Sequence, residues 1–212
     1  MDSPHNPAHW ETIYRTKAPD AVSWYRPHLE VSLRLIEQAV SNRSASIIDV
    51  GGGASTLVDD LLERGFHNLT VLDISSAALE VARKRLGQGS ELVRWIPADV
   101  TLLALPRHSI DVWHDRAVFH FLTTAEDRAA YLRHALHAIR PGGLAIVSTF
   151  GPEGPTRCSG LDVVRYDGAT LHAAFGPGFR LTESFTDVHQ TPWGAWQQFL
   201  YCCFRVERPS GQ

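Results

Sequence analysis

Short apolar runs alternate with amphipathic stretches along most of this chain, beginning after Pro27. Leu29, Leu33, Ile36 and Val40 fall at the spacing of one helix face, which predicts a first helix there. Thr123 and Glu126 have the spacing of a helix-capping box, and the helix they open carries Leu132, Leu136 and Ile139. The same pattern predicts strands at 46–50, 68–73, 93–97, 110–114 and 144–150, and further helices at 55–64, 76–86 and 169–175.

This alternation of strands and helices is typical of a parallel sheet covered by helices on both faces. Two last apolar runs, 180–188 and 197–206, are joined across Pro192 and Gly194 and predict an antiparallel pair. The predicted fold is therefore α/β, a three-layer α/β/α sandwich around a seven-stranded, mostly parallel sheet with an antiparallel C-terminal strand. Cys202 and Cys203 are neighbours in the last strand, so one should enter the core and the other should face outward.

The length and composition predict one globular domain of 212 residues. We divide it into an N-terminal aromatic lid segment (1–28), a cofactor-binding core (29–150), and an acceptor loop with the C-terminal hairpin (151–212). The net charge of −3 calls for neither nucleic acid nor a membrane surface as partner. Three cysteines without metal-ligand spacing predict a cytoplasmic protein with no bound metal. No apolar stretch reaches the roughly 20 residues of a membrane span.

A glycine-rich turn after the first strand is the most informative segment. Asp49, Gly51 and Gly53 follow a buried apolar run, and glycines there let backbone N–H groups approach a ligand at a helix N-terminus. Asp73 ends the second predicted strand, where an acid can accept hydrogen bonds from both hydroxyls of a ribose. Asp99 follows the third predicted strand, close to where an adenine amino group would lie. A structural turn made of glycine is the alternative interpretation of the first segment.

These residues resemble the class I S-adenosylmethionine-dependent methyltransferases, which have a Rossmann-like fold, and the resemblance covers nearly the whole chain. It implies S-adenosylmethionine as cofactor and S-adenosylhomocysteine as product. A nicotinamide dinucleotide is the competing cofactor, but its fingerprint has a third glycine where this chain has Thr56. The segments that carry the resemblance are Asp49-x-Gly51-x-Gly53, Asp73-Ile74, Ala98-Asp99-Val100, Trp113-His114-Asp115-Arg116 and Arg140-Pro141-Gly142-Gly143.

Aromatic residues are dense before the first predicted strand, at Trp10, Tyr14, Trp24 and Tyr25. In similar enzymes such a segment folds over the cofactor, which implies that Trp10 and Tyr14 contact it and that Trp24 and Tyr25 face the acceptor. Aromatic faces stabilise a sulfonium by cation–π attraction of roughly 0.5–2 kcal/mol. A plain hydrophobic clamp on the N-terminal segment is the alternative.

The segment after the fourth predicted strand supplies the candidate catalytic residues. Asp115 is predicted to contact the cofactor or orient another group, and His120 to act as a general base, although a core or surface histidine is an equal alternative. Arg116, Phe119 and His120 are predicted to contact the acceptor. Cys158, in the glycine-rich loop after the fifth strand, either lines the pocket or is a bystander thiol.

The resemblance is strongest to small bacterial methyltransferases that act on small molecules. It implies a small-molecule acceptor such as a thiol, and a chain that is a monomer or a weak homodimer. Two alternatives stay open: a protein lysine N-methyltransferase, and a protein that binds S-adenosylmethionine without catalysis.

Overall fold

The computed structural model describes residues 4–207. Its strands form two sheets, the larger of which has seven strands. The helices are α1 (Pro7–Thr16), α2 (Glu30–Ala39), α3 (Leu57–Glu63), α4 (Ser76–Leu86), α5 (Ala125–Ala138) and α6 (Gly168–Phe175). The strands are β1 (Ile47–Val50), β2 (Leu69–Asp73), β3 (Val93–Pro97), β4 (Ile110–Arg116), β5 (Ile139–Phe150), β6 (Arg157–Cys158), β7 (Leu161–Asp162), β8 (Phe179–Gln190) and β9 (Trp196–Val206).

The large sheet has the strand order β3-β2-β1-β4-β5-β9-β8, and β6 with β7 forms a separate small hairpin. Strands β1 to β5 are parallel, whereas β9 is antiparallel to both β5 and β8. The predicted seven-stranded α/β/α fold is confirmed. Strands β2 and β3 are added on one side of β1, and β4 and β5 on the other side. Such a switch point between β1 and β4 opens a crevice at the carboxyl ends of the strands.

Both faces of the central strands are buried, because helices cover each side. One apolar cluster joins α2 and α3 to the sheet, and a second joins α5 and α6 to the opposite face. Cys202 belongs to the second cluster and Cys203 to the first, and both are buried. The prediction that one of them faces outward is therefore wrong, since β9 has packed layers on both sides. No helix within residues 4–207 has the length and apolarity to cross a membrane.

Helix α1 lies in the aromatic segment, where the hydrophobic pattern predicted no helix. The side chain of Asn6 accepts a hydrogen bond from the Ala8 N–H at 3.1 Å, and Pro7 occupies the first helical position, where its missing N–H costs nothing. Ile13 is the only residue of this helix that is buried. A single buried position is too weak a periodicity for sequence analysis to detect.

Helix α5 begins one residue later than its predicted capping box. The Thr124 hydroxyl accepts a hydrogen bond from the Asp127 N–H at 3.1 Å. The buried face consists of Tyr131, Ala135 and Ala138, whereas Leu136 is 41% exposed. The predicted face is therefore right for Leu132, which packs against the second cluster, and wrong for Leu136, while Ile139 already belongs to β5.

A buried hydrogen-bond chain fixes α5 to β4. Trp113 Nε1 donates to the Tyr131 hydroxyl at 2.8 Å, and this hydroxyl donates to Asp115 Oδ2 at 2.7 Å. Asp115 also accepts from the backbone N–H groups of Val118 and Phe119, which shapes the turn after β4. Burial raises the pKa of Asp115 to about 6, although these hydrogen bonds favour its ionised form.

We expect Tyr131→Phe to lower the free energy of unfolding by about 1–3 kcal/mol, because it leaves the buried Trp113 Nε1 without a partner and removes one of the hydrogen bonds to Asp115. The loss should be greater at pH 8 than at pH 5, since the missing O–H stabilises the ionised carboxylate. Urea denaturation at both pH values measures this. Tyr25→Phe is the matched control, and a Tyr131→Phe variant as stable as the wild type would contradict the assignment.

Candidate functional site

The turn after β1 requires glycine, because a side chain at Gly51 or Gly53 would collide with neighbouring atoms. Gly51 and Gly53 have φ angles of +67° and +45°, which favour glycine. A Cβ at Gly51 would collide with the Val118 side chain, and one at Gly53 would lie 2.8 Å from Asp73 Oδ2 and 2.9 Å from the Tyr14 hydroxyl. The turn therefore exposes its backbone to the crevice at the sheet switch point.

Asp49 is held beneath this turn by a buried hydrogen-bond chain. His114 lies beside it in the β1–β4 register, and the His114 Nδ1 to Asp49 Oδ1 distance is 2.7 Å. The other ring nitrogen, Nε2, lies 2.8 Å from the hydroxyl of Ser32 in α2. All three side chains are buried. The chain ties β1, β4 and α2 together directly below the glycines.

Two adjoining clefts open above the turn. The main cleft encloses about 780 Å³ of space, part of which is open to solvent. The side cleft measures about 510 Å³ and lies over the glycine turn. Both are bounded by Gly51 and Arg116. The main cleft is also lined by Trp10, Tyr14, Trp24, Asp73, Ile74, Asp99, Val100 and Cys158, and the side cleft by Tyr14, Trp24, Tyr25 and Asp49.

Asp73 is the main acid at the end of β2. Its Oδ1 accepts a hydrogen bond from the Ser75 N–H at 2.8 Å, which leaves Oδ2 on the side of Gly53 and the cleft. Burial, together with the nearby charges of Asp49 and Glu11, raises the pKa of Asp73 to about 7. Hydroxyl donors from a ligand would favour the ionised carboxylate.

The aromatic segment covers the main cleft. Trp10 contacts Phe121 edge-to-face with ring centroids 5.1 Å apart, and it also meets Trp24 at 6.4 Å. The ring of Tyr14 meets Trp24 at the same separation from the other side. These rings form one wall of the cleft, so aromatic faces are available to a cationic ligand.

Two acidic contacts fasten this segment to the sheet edge. Glu11 Oε1 accepts hydrogen bonds from the Ala77 N–H at 2.9 Å and the Ser75 hydroxyl at 3.1 Å, at the N-terminus of α4. His5 Nδ1 lies 2.7 Å from Asp99 Oδ2, and its Nε2 lies 3.2 Å from Asp127. Although burial lowers the pKa of His5, the two carboxylates raise it overall.

Four predicted residues line neither cleft: Gly53, which is buried, and Asp115, Phe119 and His120. Asp115 and Phe119 are buried, and Phe119 packs in the second core cluster against Tyr131. His120 is also fully buried, and its Nδ1 accepts a hydrogen bond from the Phe150 N–H at 3.2 Å. Burial, assisted by the charge of Arg116, lowers the pKa of His120 to about 3. The prediction of His120 as a general base is wrong, because it has neither access to the cleft nor basicity near neutral pH.

Cys158 does line the main cleft, from the small hairpin after β5. It is buried, and burial raises the pKa of its thiol, so the thiol stays protonated. Cys158 therefore forms part of the wall of the main cleft.

Sequence analysis missed four side chains that build the site: His5, Glu11, Ser32 and His114. Only His114 left a signal, since it lies in the segment Trp113–Arg116 that carries the family resemblance. The others act through contacts with residues 64 to 122 positions away, and no local pattern encodes these pairings.

The residues present fit S-adenosylmethionine. The glycine turn provides a backbone cradle that a Cβ would fill, Asp73 presents a carboxylate oxygen beside it, and the aromatic wall suits a sulfonium. Asp99 accepts a hydrogen bond from the Thr101 N–H and also contacts His5. Since His5 belongs to the aromatic segment, Asp99 also helps to hold this segment.

Comparison with known proteins agrees with this geometry. Residues 48–147 match the family model described as a methyltransferase domain. The ubiquinone biosynthesis O-methyltransferase of Xylella fastidiosa is 31% identical over 136 residues, which cover 59% of this chain and 54% of that protein. The mouse eEF1A lysine and N-terminal methyltransferase is 22% identical over 119 residues, which cover 56% of this chain and 17% of that protein. The chain thus spans less than two thirds of these relatives.

A similar solved structure is the Burkholderia thailandensis 1,6-didemethyltoxoflavin-N1-methyltransferase with bound 1,6-didemethyltoxoflavin and S-adenosylhomocysteine. Its TM-score is 0.72 at 18% identity, and the match covers 98% of this chain and 92% of that one. At this identity the similarity establishes the shared fold.

We expect the affinity for S-adenosylhomocysteine to rise between pH 6 and pH 8. Only ionised Asp73 can accept hydrogen bonds from two hydroxyls, and with its pKa at about 7 a proton must leave before binding at lower pH. Asp73→Asn should bind about 10- to 150-fold more weakly at pH 8 and with a flat pH profile.

Calorimetry across this pH range measures both effects. Asp59→Asn, at a surface ion pair with Arg85, is the matched control and should keep the wild-type profile. The rise should also persist in His5→Gln, which removes the nearby imidazole. A pH-dependent Asp73→Asn variant would contradict the role of this carboxylate.

Proposed function

Because this chain is a class I S-adenosylmethionine-dependent methyltransferase, with the methyltransferase domain over residues 48–147, we propose that it methylates a small organic molecule. A thiol is the first class of acceptor to test. The observation that carries the proposal is the covered main cleft, where the aromatic segment and the β6–β7 hairpin close over the carboxyl ends of the strands.

The proposed cofactor contacts use the strand ends. Asp73 accepts the ribose hydroxyls, Val100 and Ile74 flank the adenine, and the backbone at Gly51 and Gly53 receives the amino-acid part. When bound, S-adenosylmethionine supplies a methyl group on a positively charged sulfur. The Trp10 and Tyr14 rings bind this end of the cofactor and exclude water from it.

The acceptor end of the cleft contains no acid or exposed imidazole among the described residues that follow β4 and β5. These are Arg116, Ala117, Val118, Phe121, Leu122 and Cys158. The protein therefore orients and desolvates the acceptor rather than removing its proton. A thiol suits such a site, because many thiols ionise appreciably near neutral pH.

Methylation of a protein lysine is a second candidate, supported by the similarity to the mouse eEF1A lysine and N-terminal methyltransferase. The acceptor amine of a lysine must lose a proton before reaction. The cationic side chain of Arg116, at the acceptor end of the cleft, disfavours the approach of an ammonium group. Trp24 lies in both cleft walls, so a lysine side chain would have to enter past it.

We expect an acceptor screen scored by S-adenosylhomocysteine release to find activity on small thiols or phenols. Lysine-containing peptides and lysate proteins are tested in parallel at the same pH. Activity confined to peptides would replace the small-molecule proposal with the lysine candidate. Tight binding of S-adenosylmethionine with no turnover on the whole panel would instead indicate a non-catalytic binding protein.

The aromatic segment is proposed to act as a lid over the cofactor, and Glu11→Ala tests this. Loss of the Glu11 contacts with Ser75 and Ala77 should speed trypsin cleavage at Arg15 and Lys17 about 10- to 150-fold, because hydrogen bonds to a charged group contribute roughly 1.5–3 kcal/mol. S-adenosylhomocysteine should bind more weakly.

The control is Arg15→Ala, which removes an exposed ion-pair partner of Glu11 but keeps the α4 contact. Cleavage then proceeds at Lys17 alone and should keep its wild-type rate. If Glu11→Ala also behaved as the wild type, the segment would be a fixed clamp rather than a lid.

A further inference from the structure

Arg116 is a partly buried cation that has no counter-ion among residues 4–207. It is the last residue of β4, and it bounds both clefts. One guanidinium nitrogen, Nη1, donates to the Trp24 carbonyl at 2.9 Å, whereas Nε is buried and has no hydrogen-bond partner within the described part of the chain. No ion pair among residues 4–207 includes this arginine.

The acids in its neighbourhood are already bound elsewhere. Asp187 forms an ion pair with Arg26 at 2.8 Å, and Asp115 accepts hydrogen bonds from Tyr131 and the turn after β4. His189 contacts Arg26 and the Ser23 carbonyl, and burial, with the charges of Arg116 and Arg26, lowers its pKa to about 4. Arg116 thus keeps its full positive charge.

The guanidinium lies on the opposite side of β1 from Asp73, although it shares both clefts with Gly51. Its central carbon lies 4.6 Å from the centre of the Phe199 ring in β9, two strands beyond β4. Asp49 and Asp73 lie on β1 and β2, in the opposite direction across the sheet. The side chain therefore extends over β5, towards the half of the crevice that the cofactor acids do not occupy.

A guanidinium fixed in this way is suited to an anion. The Phe199 face and the Trp24 carbonyl hold it in one orientation, and a planar guanidinium binds a carboxylate through paired N–H groups. The charges of Lys17 and Arg116 both act on the Cys158 thiol, so two cations lie near this end of the main cleft. Partial burial without a counter-ion is unfavourable, and a bound anion would compensate it.

We propose that Arg116 binds an anionic group of the methyl acceptor, so that the acceptors are small organic acids; this inference rests on the proposed function. The arginine acts as a specificity determinant and takes no part in the transfer itself. It selects acids over neutral analogues and against ammonium groups, which carry the same charge as the guanidinium.

Matched probes in which a neutral amide replaces the carboxylate test this proposal. We would measure by calorimetry, with S-adenosylhomocysteine present, the binding of 4-mercaptobenzoate against 4-mercaptobenzamide and of 4-hydroxybenzoate against 4-hydroxybenzamide. The acids should bind about 10- to 100-fold more tightly than the amides. Arg116→Gln should abolish this preference, and Arg116→Lys, which keeps the buried charge, should retain part of it.

Arg94→Gln removes an exposed arginine on β3 and should behave as the wild type. Equal affinity for acid and amide, or no binding of any acid at millimolar concentration, would overturn the proposal. So would an Arg116→Gln variant that binds S-adenosylhomocysteine more than 10-fold more weakly with an unchanged acid preference, because the guanidinium would then hold the cofactor's own carboxylate.

This binding measurement needs no turnover, so its failure is distinguishable from failure of the proposed function. Methylation of the amides at the same rate as the acids would overturn the anion inference and leave small-molecule methylation in place. An acid preference in binding with activity on peptides alone would overturn the proposed function and support the anion site.

Discussion

The hydrogen-bond chain from Asp49 through His114 to Ser32 is the interaction on which this site depends. It lies at the switch point between β1 and β4, and it joins these two central strands to helix α2. A buried carboxylate without a partner would be costly, so the three side chains are stable only as a set. Because Asp49 is held in place, it supports the glycine turn above it. The left-handed backbone of this turn can therefore face the cleft.

The aromatic segment is connected to the cofactor half of the sheet by polar contacts rather than by a large apolar face. Helix α1 buries a single residue, while Glu11 caps α4 and His5 bridges Asp99 and Asp127. Contacts of this kind contribute little free energy each, and they break and re-form more readily than a packed core. A segment that covers an exchangeable ligand must be able to open, and contacts of this strength are compatible with opening.

Acidic and basic side chains lie on opposite halves of the crevice. Carboxylates lie on β1, at the end of β2 and after β3, whereas the lining from the end of β4 onward is apolar except for Arg116 and Cys158. The first half matches a ligand with hydroxyl and amino donors, and the second half matches a ligand that brings negative charge of its own. The relatives named above act, by their names, on proteins and on small molecules, so the fold by itself does not choose between these acceptors.

The sequence by itself determined the layered fold, the seven strands and the positions of Asp49, Gly51, Gly53 and Asp73, because these depend on local periodicity and on turn chemistry. It did not determine which side chains after β4 reach the cleft. Asp115, Phe119 and His120 were predicted there, but the turn after β4 directs them into the core, while Arg116 bounds the cleft. Strand pairing and the packing of distant segments set these directions, and neither is encoded in the order of neighbouring residues.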